Sequence, residues 1–169
     1  MMIFNKLVVF AAVLVCCTGL PASAADEFAL MHAESLGPLK LGQGKKEALA
    51  NLQSKPRVGR MEEWAADGGV HQRFDFPAEG VSLSFVSDTR RSPQQLDSIR
   101  IRAPSSLTTK AGIHIGSASA EVAKAYRAHF NKEESQPGQT FVAGSIYGGL
   151  IFSFKADKVD QIFLGAAAE

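Results

Sequence analysis

Histidine and serine are the first side chains to test for chemistry in this sequence. The four histidines lie in different segments, and no pair has the spacing with which helical or Cys-x-x-Cys-like partners hold zinc. Ser145 follows Gly144, but the next glycine, Gly148, comes one position too late for a Gly-x-Ser-x-Gly nucleophile elbow. The Asp-Gly-Gly tripeptide at 67–69 lacks the alternating oxygen ligands of a calcium loop. The sequence therefore predicts no catalytic residue, no metal site and no cofactor.

A second set of side chains favours binding over catalysis. If the predicted strands alternate in the usual way, arginine and aromatic side chains fall on one sheet face. Both types are enriched at the centres of protein–protein interfaces. The alternative is that the arginines only keep an exposed sheet soluble and that the phenylalanine packs under the C-terminal tail. The residues predicted to contact a partner are Trp64, His71, Arg73, Arg100, Arg102, Tyr147 and Phe163.

Hydrophobic periodicity predicts an α+β fold with two short helices. The helices are expected at about 44–53 and 118–130, where apolar residues recur at three- and four-residue spacing. Two adjacent glycines at 148–149 are expected to form a hairpin turn. The strands are expected at 70–76, 81–86, 96–102, 140–147, 150–155 and 159–164, with a further candidate at 59–65.

The two faces of the predicted sheet differ in character. One face is apolar and is expected to lie under the helices. The opposite face is basic and polar in the first half of the chain and more apolar in the second half. The predicted core residues are Phe74, Phe76, Val81, Leu83, Phe85, Ile99, Ile101, Leu150, Phe152, Phe154, Ile162 and Leu164.

One pattern of residues occurs twice along the chain. An apolar-x-apolar-Gly sequence ends at Gly42 and again at Gly116, and a glutamate follows each glycine five residues later. Similar strand segments come after each copy in the same order. Two similar units in one chain usually share one core and present one long surface, which favours binding. Whether the halves form one continuous sheet or two sheets stays open.

The first 24 residues have the features of a secretory signal peptide. Lys6 precedes a short apolar run, and a small-x-small cleavage site ends at Ala24. The apolar run is well short of the roughly 20 residues that cross a bilayer. The alternatives are a membrane anchor and lipidation at Cys16 or Cys17. We expect a soluble periplasmic protein with no stable membrane insertion after cleavage.

Loss of this segment would leave a neutral chain without cysteine. The full chain has 18 Lys and Arg against 17 Asp and Glu, and the loss of Lys6 makes the two numbers equal. Neutrality argues against nucleic acid as the partner, because phosphate binding requires surplus positive charge. Without disulfides the fold must depend on its core. Residues 25–169 are predicted to form a single domain of two repeats, at about 36–103 and 110–165.

The tandem pattern resembles the fold of the beta-lactamase inhibitor protein (BLIP-like), and each unit is similar to the BamE/SmpA lipoprotein unit. In the second family a glycine is followed by a hydroxylated helix cap and then by a glutamate. Gly42 with Glu47, and Gly116 with Glu121, match this spacing. The cap positions hold glycine and alanine instead, and Ser117 is the expected replacement in the second unit. The resemblance implies an exported protein whose sheet grips another protein.

We therefore expect an exported protein that binds and inhibits another protein and is not itself an enzyme. The partner is expected to be an envelope-targeting enzyme with an acidic cleft, such as a peptidoglycan-degrading one, and the chain would be its inhibitor or immunity protein. The exposed sheet face, or the hairpin at 77–80, would cover that cleft, with Arg73, Arg100 and Arg102 pairing with acidic groups. The alternatives are an envelope assembly factor of the BamE type and a binder of small ligands or cell-wall fragments.

Overall fold

Seven antiparallel strands form one continuous sheet in the computed structural model, which describes residues 28–167. The predicted signal peptide lies outside the described residues. The order across the sheet is β1-β2-β3-β4-β7-β6-β5, so the two halves of the chain meet where β4 pairs with β7. The strands are β1 (Arg57–Glu63), β2 (Val70–Phe76), β3 (Val81–Ser87), β4 (Gln95–Arg102), β5 (Thr140–Ser145), β6 (Gly148–Lys155) and β7 (Lys158–Gly165).

The described helices are short. They are α1 (Ala29–Ala33), α2 (Lys45–Ala50) and α3 (Ser119–Ala125), and a 3₁₀ turn follows at Arg127–His129. Both helices predicted from periodicity are present, but each ends earlier than expected because its last residues form i to i−3 hydrogen bonds instead of continuing the α-helix. Helices of this length depend on packing rather than on intrinsic propensity.

The helix starts differ in one respect from the prediction. Glu121 accepts a hydrogen bond from the backbone N–H of Ala118 at 2.7 Å, as a carboxylate in a first turn can. Ser117 does not replace the missing cap, because its hydroxyl accepts a hydrogen bond from the backbone N–H of His114. The backbone N–H of Ser119, the first residue of α3, donates to the carbonyl of Asp157 at 3.0 Å.

The predicted strands are confirmed, with small differences at their ends, but the predicted turn at 148–149 is wrong. The β5–β6 hairpin turns at 146–147, and both glycines belong to β6. A Cβ at Gly149 would lie 2.3 Å from the carbonyl oxygen of Ala143, and one at Gly148 would lie 2.3 Å from a ring carbon of Phe28. These glycines are required by close packing within the sheet and not by the turn.

The core fills the space between the helices and one face of the sheet. Eleven of the twelve predicted core residues are buried, and Phe154 is partly buried against them. Helices α2 and α3 add Ala48 and Val122 to the same cluster, Tyr126 joins it directly after α3, and Leu30 of α1 packs against it. Because the described helices contribute to one cluster, they cover one sheet face and leave the opposite face uncovered by helix.

A buried hydrogen bond connects the N-terminal segment to the second half of the chain. The Tyr126 hydroxyl donates to Oε2 of Glu34 at 2.9 Å, and Oε1 of Glu34 accepts from the backbone N–H of Lys110 at 2.9 Å. Burial raises the pKa of Tyr126, so its phenol remains protonated and keeps its donor. The segment that precedes the first strand is therefore fixed on the core by polar contacts as well as by packing.

Removal of this phenol should destabilise the fold. We expect Tyr126→Phe to lower the free energy of unfolding by about 1.5–3 kcal/mol, since a buried hydrogen bond to a carboxylate contributes on that scale. Urea denaturation measures it. Tyr147→Phe is the matched control, because the only other tyrosine is 58% exposed and should change stability little. Equal effects of the two variants would contradict the assignment.

Candidate functional site

A groove of about 380 Å³ lies on the uncovered sheet face. An adjoining pocket of about 310 Å³ shares Arg73 and Arg100 with it and also includes Arg102. Tyr147 lies away from both, exposed at the tip of the β5–β6 hairpin. The groove is lined by five of the seven predicted partner-binding residues, namely Trp64, His71, Arg73, Arg100 and Phe163, of which His71 and Phe163 are only 6% and 5% exposed.

The register of the sheet explains how these residues meet. Asp75 pairs with Ser82, Ser82 pairs with Arg100, and Arg100 pairs with Phe163. Ile151 continues the row as the partner of Phe163 on β6. Because paired residues project from the same sheet face, a single row runs from an acidic end through Arg100 to an apolar end.

Arg100 is the central feature of the groove. Its guanidinium carbon lies 5.2 Å from the centroid of the Phe163 ring, within the range of a cation–π contact. Its Nε is buried without a hydrogen-bond partner, and the guanidinium donates no hydrogen bond to any residue in the described part of the chain. Burial lowers the pKa of Arg100, and the nearby charges of Arg73 and Arg102 lower it further, against the opposing effect of Asp75. The N–H donors of Arg100 therefore have no acceptor among the described residues, and its positive charge is only partly balanced by a negative one.

The two neighbouring arginines have partners of their own. Arg73 donates from Nε to Asp75 at 2.8 Å and from Nη2 to Ser82 at 3.3 Å. Burial acts to raise the pKa of Asp75, but the hydrogen bonds from Ser82 and Arg73 outweigh it and hold that pKa below its ordinary value. Arg102 donates from Nε to the side-chain oxygen of Gln161 at 2.8 Å. Among the three predicted arginines, only Arg100 has a guanidinium free of such bonds to described residues.

His71 lies on the predicted face, but its ring is not exposed. The residue is only 6% exposed because Trp64 stacks on it, with ring centroids 3.8 Å apart and planes 10° apart. Its Nε2 lies 2.8 Å from Oδ2 of Asp67, while its Nδ1 is buried without a partner among the described residues. The backbone N–H of Gly69 and the His71 ring lower the pKa of Asp67. His71 therefore supports Trp64 at the end of the groove and presents little surface to a partner.

Asp97 is a groove residue that the sequence interpretation missed. The β3–β4 register shifts between Ser84 and Phe85, which pair with Ser98 and Leu96 and leave Asp97 as the extra residue of a bulge. Burial raises the pKa of Asp97, against the opposing effect of the His71 charge. The signal was present in the sequence, because two adjacent polar residues between two apolar ones interrupt the period of two that a regular strand requires.

No family model, curated protein or solved structure matches this chain significantly. Within residues 28–167, no three His, Cys, Asp or Glu side chains come close enough together to hold a metal ion. Over the same residues, none of the helices is long and apolar enough to span a membrane.

The partly buried carboxyl of Asp97 should make stability depend on pH. A carboxyl group whose pKa is raised by folding contributes stability below its unfolded pKa, and this contribution is lost as the pH rises through the folded pKa. We therefore expect Asp97→Asn to raise the urea midpoint at pH 7 relative to the parent protein. The difference should disappear at about pH 3, below the ordinary pKa of aspartate.

The matched control is Asp160→Asn. Asp160 is the extra residue of the corresponding bulge between β6 and β7, where the register shifts between Ser153 and Phe154, but it is exposed. We expect it to leave the midpoint unchanged at both pH values. A pH-independent effect of Asp97→Asn would show that the amide acts through packing and not through the loss of a buried charge.

Proposed function

We propose that this chain is an exported, periplasmic protein that binds and inhibits another protein through its uncovered sheet face. The partner would be an enzyme that attacks the cell envelope, such as a peptidoglycan-degrading one, and this chain would be its inhibitor or immunity protein. The observation that carries the proposal is Arg100, a partly buried cation with no hydrogen-bond acceptor among the described residues. It lies on a face that the described helices leave uncovered.

The energetics of Arg100 favour an incoming acceptor. A buried donor without a partner costs about 1–3 kcal/mol, and more when the group is charged. The buried Nε is closed to water and to a partner alike, whereas the two Nη groups are not buried and can donate to an acceptor that a partner supplies. Arginine and aromatic side chains are also enriched at the centres of protein interfaces. The groove therefore supports recognition of another molecule, while nothing in its geometry requires a reaction.

Details of the backbone support the proposal that the fold consists of two copies of one unit. The N–H of Gly42 donates to the carbonyl of Leu96, and the N–H of Gly116 donates to the carbonyl of Val159, both at 2.8 Å. Both glycines have positive φ angles, of 81° and 94°. These equivalent contacts favour the tandem arrangement by which the sequence resembles BLIP-like inhibitors.

The strand order supports the same proposal and indicates where the copies differ. In the sheet, β3 and β2 follow β4 on one side of the β4–β7 pair, and β6 and β5 follow β7 on the other side. Arg100 and Phe163 hold equivalent positions in the two copies, 63 residues apart, and they pair directly with each other. The two copies therefore contribute an arginine and an aromatic ring to one central contact.

The proposal is tested by partner capture followed by an inhibition assay. The tagged exported protein is incubated with periplasmic extract and with secreted proteins of competing bacteria, and any captured enzyme is purified and assayed. We expect one stoichiometric enzyme whose activity falls on binding. Arg100→Glu should weaken inhibition by at least about 30-fold, or roughly 2 kcal/mol, because one partner of a desolvated charge pair is reversed.

Arg127→Glu is the matched control, since it reverses an exposed arginine in the 3₁₀ turn, outside the groove. It should leave the inhibition constant within about twofold, as expected for an exposed charge. Capture of outer-membrane assembly components without inhibition of any enzyme would contradict the proposal and favour an assembly factor. An unchanged inhibition constant for Arg100→Glu would exclude the sheet face as the contact surface.

A further inference from the structure

The shape of the groove determines which side of the interface protrudes. Arg100 lies in a concavity of about 380 Å³, with Trp64 and Phe163 also in its lining. This volume is near the lower end of the range for ligand pockets, about 300–1,000 Å³. It admits a side chain or the tip of a loop. Arg100 therefore cannot reach into a recessed cleft of a partner, and the group that meets it must protrude from the partner.

The charged residues of the groove limit the number of negative charges on the partner group that meets Arg100. Arg60, Arg73 and Arg100 line the groove together with Glu62 and Asp97, and Arg73 is paired with Asp75 at 2.8 Å. The partly buried cation of the groove that has no hydrogen bond or ion pair among the described residues is therefore Arg100. A single negative charge neutralises it. A dianion such as phosphate would leave an excess negative charge beside the two acidic residues, at a site where burial already disfavours the ionised form of Asp97.

The hydrogen-bonding capacity of the groove identifies the chemical type of that anion. Arg73 and Arg102 already donate to Asp75 and Gln161. The planar guanidinium of Arg100 retains its donors, and contact with the Phe163 ring restricts its orientation. A guanidinium fork with two free N–H groups matches the two oxygens of a carboxylate. The free donors therefore favour a carboxylate over other monoanions.

On the basis of the proposed function, we propose that the partner presents one aspartate or glutamate side chain on a protruding loop and that its carboxylate accepts two hydrogen bonds from Arg100. This assignment replaces the acidic cleft expected from the sequence with an acidic protrusion. Arg73 and Arg102 act as positioning residues, because their charges keep the site positive while their own donors stay occupied. Trp64, held by the buried ring of His71, forms the wall at the far end of the groove.

A peptide titration followed by NMR tests this assignment without requiring the natural partner. The probe is N-acetyl-Gly-Glu-Gly-amide, and N-acetyl-Gly-Gln-Gly-amide is its neutral isostere. The readout is the set of arginine Nε–Hε resonances of the ¹⁵N-labelled exported protein. We expect the glutamate peptide to shift the Arg100 resonance more than those of Arg73 and Arg102, with Kd on the order of millimolar for one such contact. The glutamine peptide should shift none of them.

Two variants distinguish bidentate hydrogen bonding by the guanidinium from the effect of positive charge alone. Arg100→Lys keeps the charge but loses bidentate geometry, and we expect it to weaken binding of the glutamate peptide at least about fivefold. Arg127→Lys is the matched control, because Arg127 is exposed in the 3₁₀ turn outside the groove, and it should leave the affinity within about twofold. The backbone amide spectra of both variants must superpose on that of the parent protein, and the titration of the parent protein is decisive even if a variant fails to fold.

Three results would overturn the assignment. They are equal shifts with the glutamine peptide, tighter binding of inorganic phosphate than of the glutamate peptide, and binding of free acetate as tight as that of the peptide, which would indicate a site for small carboxylates. If the titration fails while a captured enzyme is still inhibited, only the carboxylate assignment is wrong. If the peptide binds at Arg100 but no captured enzyme is inhibited, the proposed function is wrong and the site remains.

Discussion

The pairing of β4 with β7 is the interaction on which the rest of the structure depends. It joins the two halves into one sheet, with Ile99 opposite Leu164 and Ile101 opposite Ile162 on the core side. On the other side the same register places Arg100 against Phe163. Because side chains alternate with a period of two, a slip of one residue would bury Arg100 in the core and expose the isoleucines. Core packing thus fixes the register that creates the groove.

The two faces of the sheet differ in how well their polar and charged side chains are paired. On the covered face, aromatic and aliphatic side chains pack into one continuous cluster, and Glu34 finds a donor in Tyr126. On the other face, burial lowers the pKa of Arg100 and raises that of Asp97, so charges of both signs are partly desolvated without full compensation. Electrostatic interactions are stronger in such an environment than in water. The well-packed face provides the stability that allows the groove to keep an unmatched cation.

Much of the fold was predictable from the chain, and less of the candidate site was. The alternation of apolar and polar residues identified the strands, and eleven of the twelve residues that it predicted for the core are buried. It also placed Arg73, Arg100 and Phe163 on one face, because the face toward which a side chain points follows from its position in the strand. Three features were missed for physical reasons that involve distant residues. His71 is covered by Trp64, Asp97 enters the groove through a bulge, and the glycines at 148–149 respond to close packing rather than to a turn.

The sequence by itself determined the α+β class, the strands and the division of their residues between two faces, because these follow from neighbours a few positions apart. It did not determine whether the halves form one sheet, or which arginine lacks an acceptor. Those outcomes depend on the pairing of Arg100 with Phe163 and on the contact of Arg102 with Gln161, which join residues 63 and 59 positions apart. Only the folded chain selects one such register over the others, since it is the register that buries both sets of core residues together.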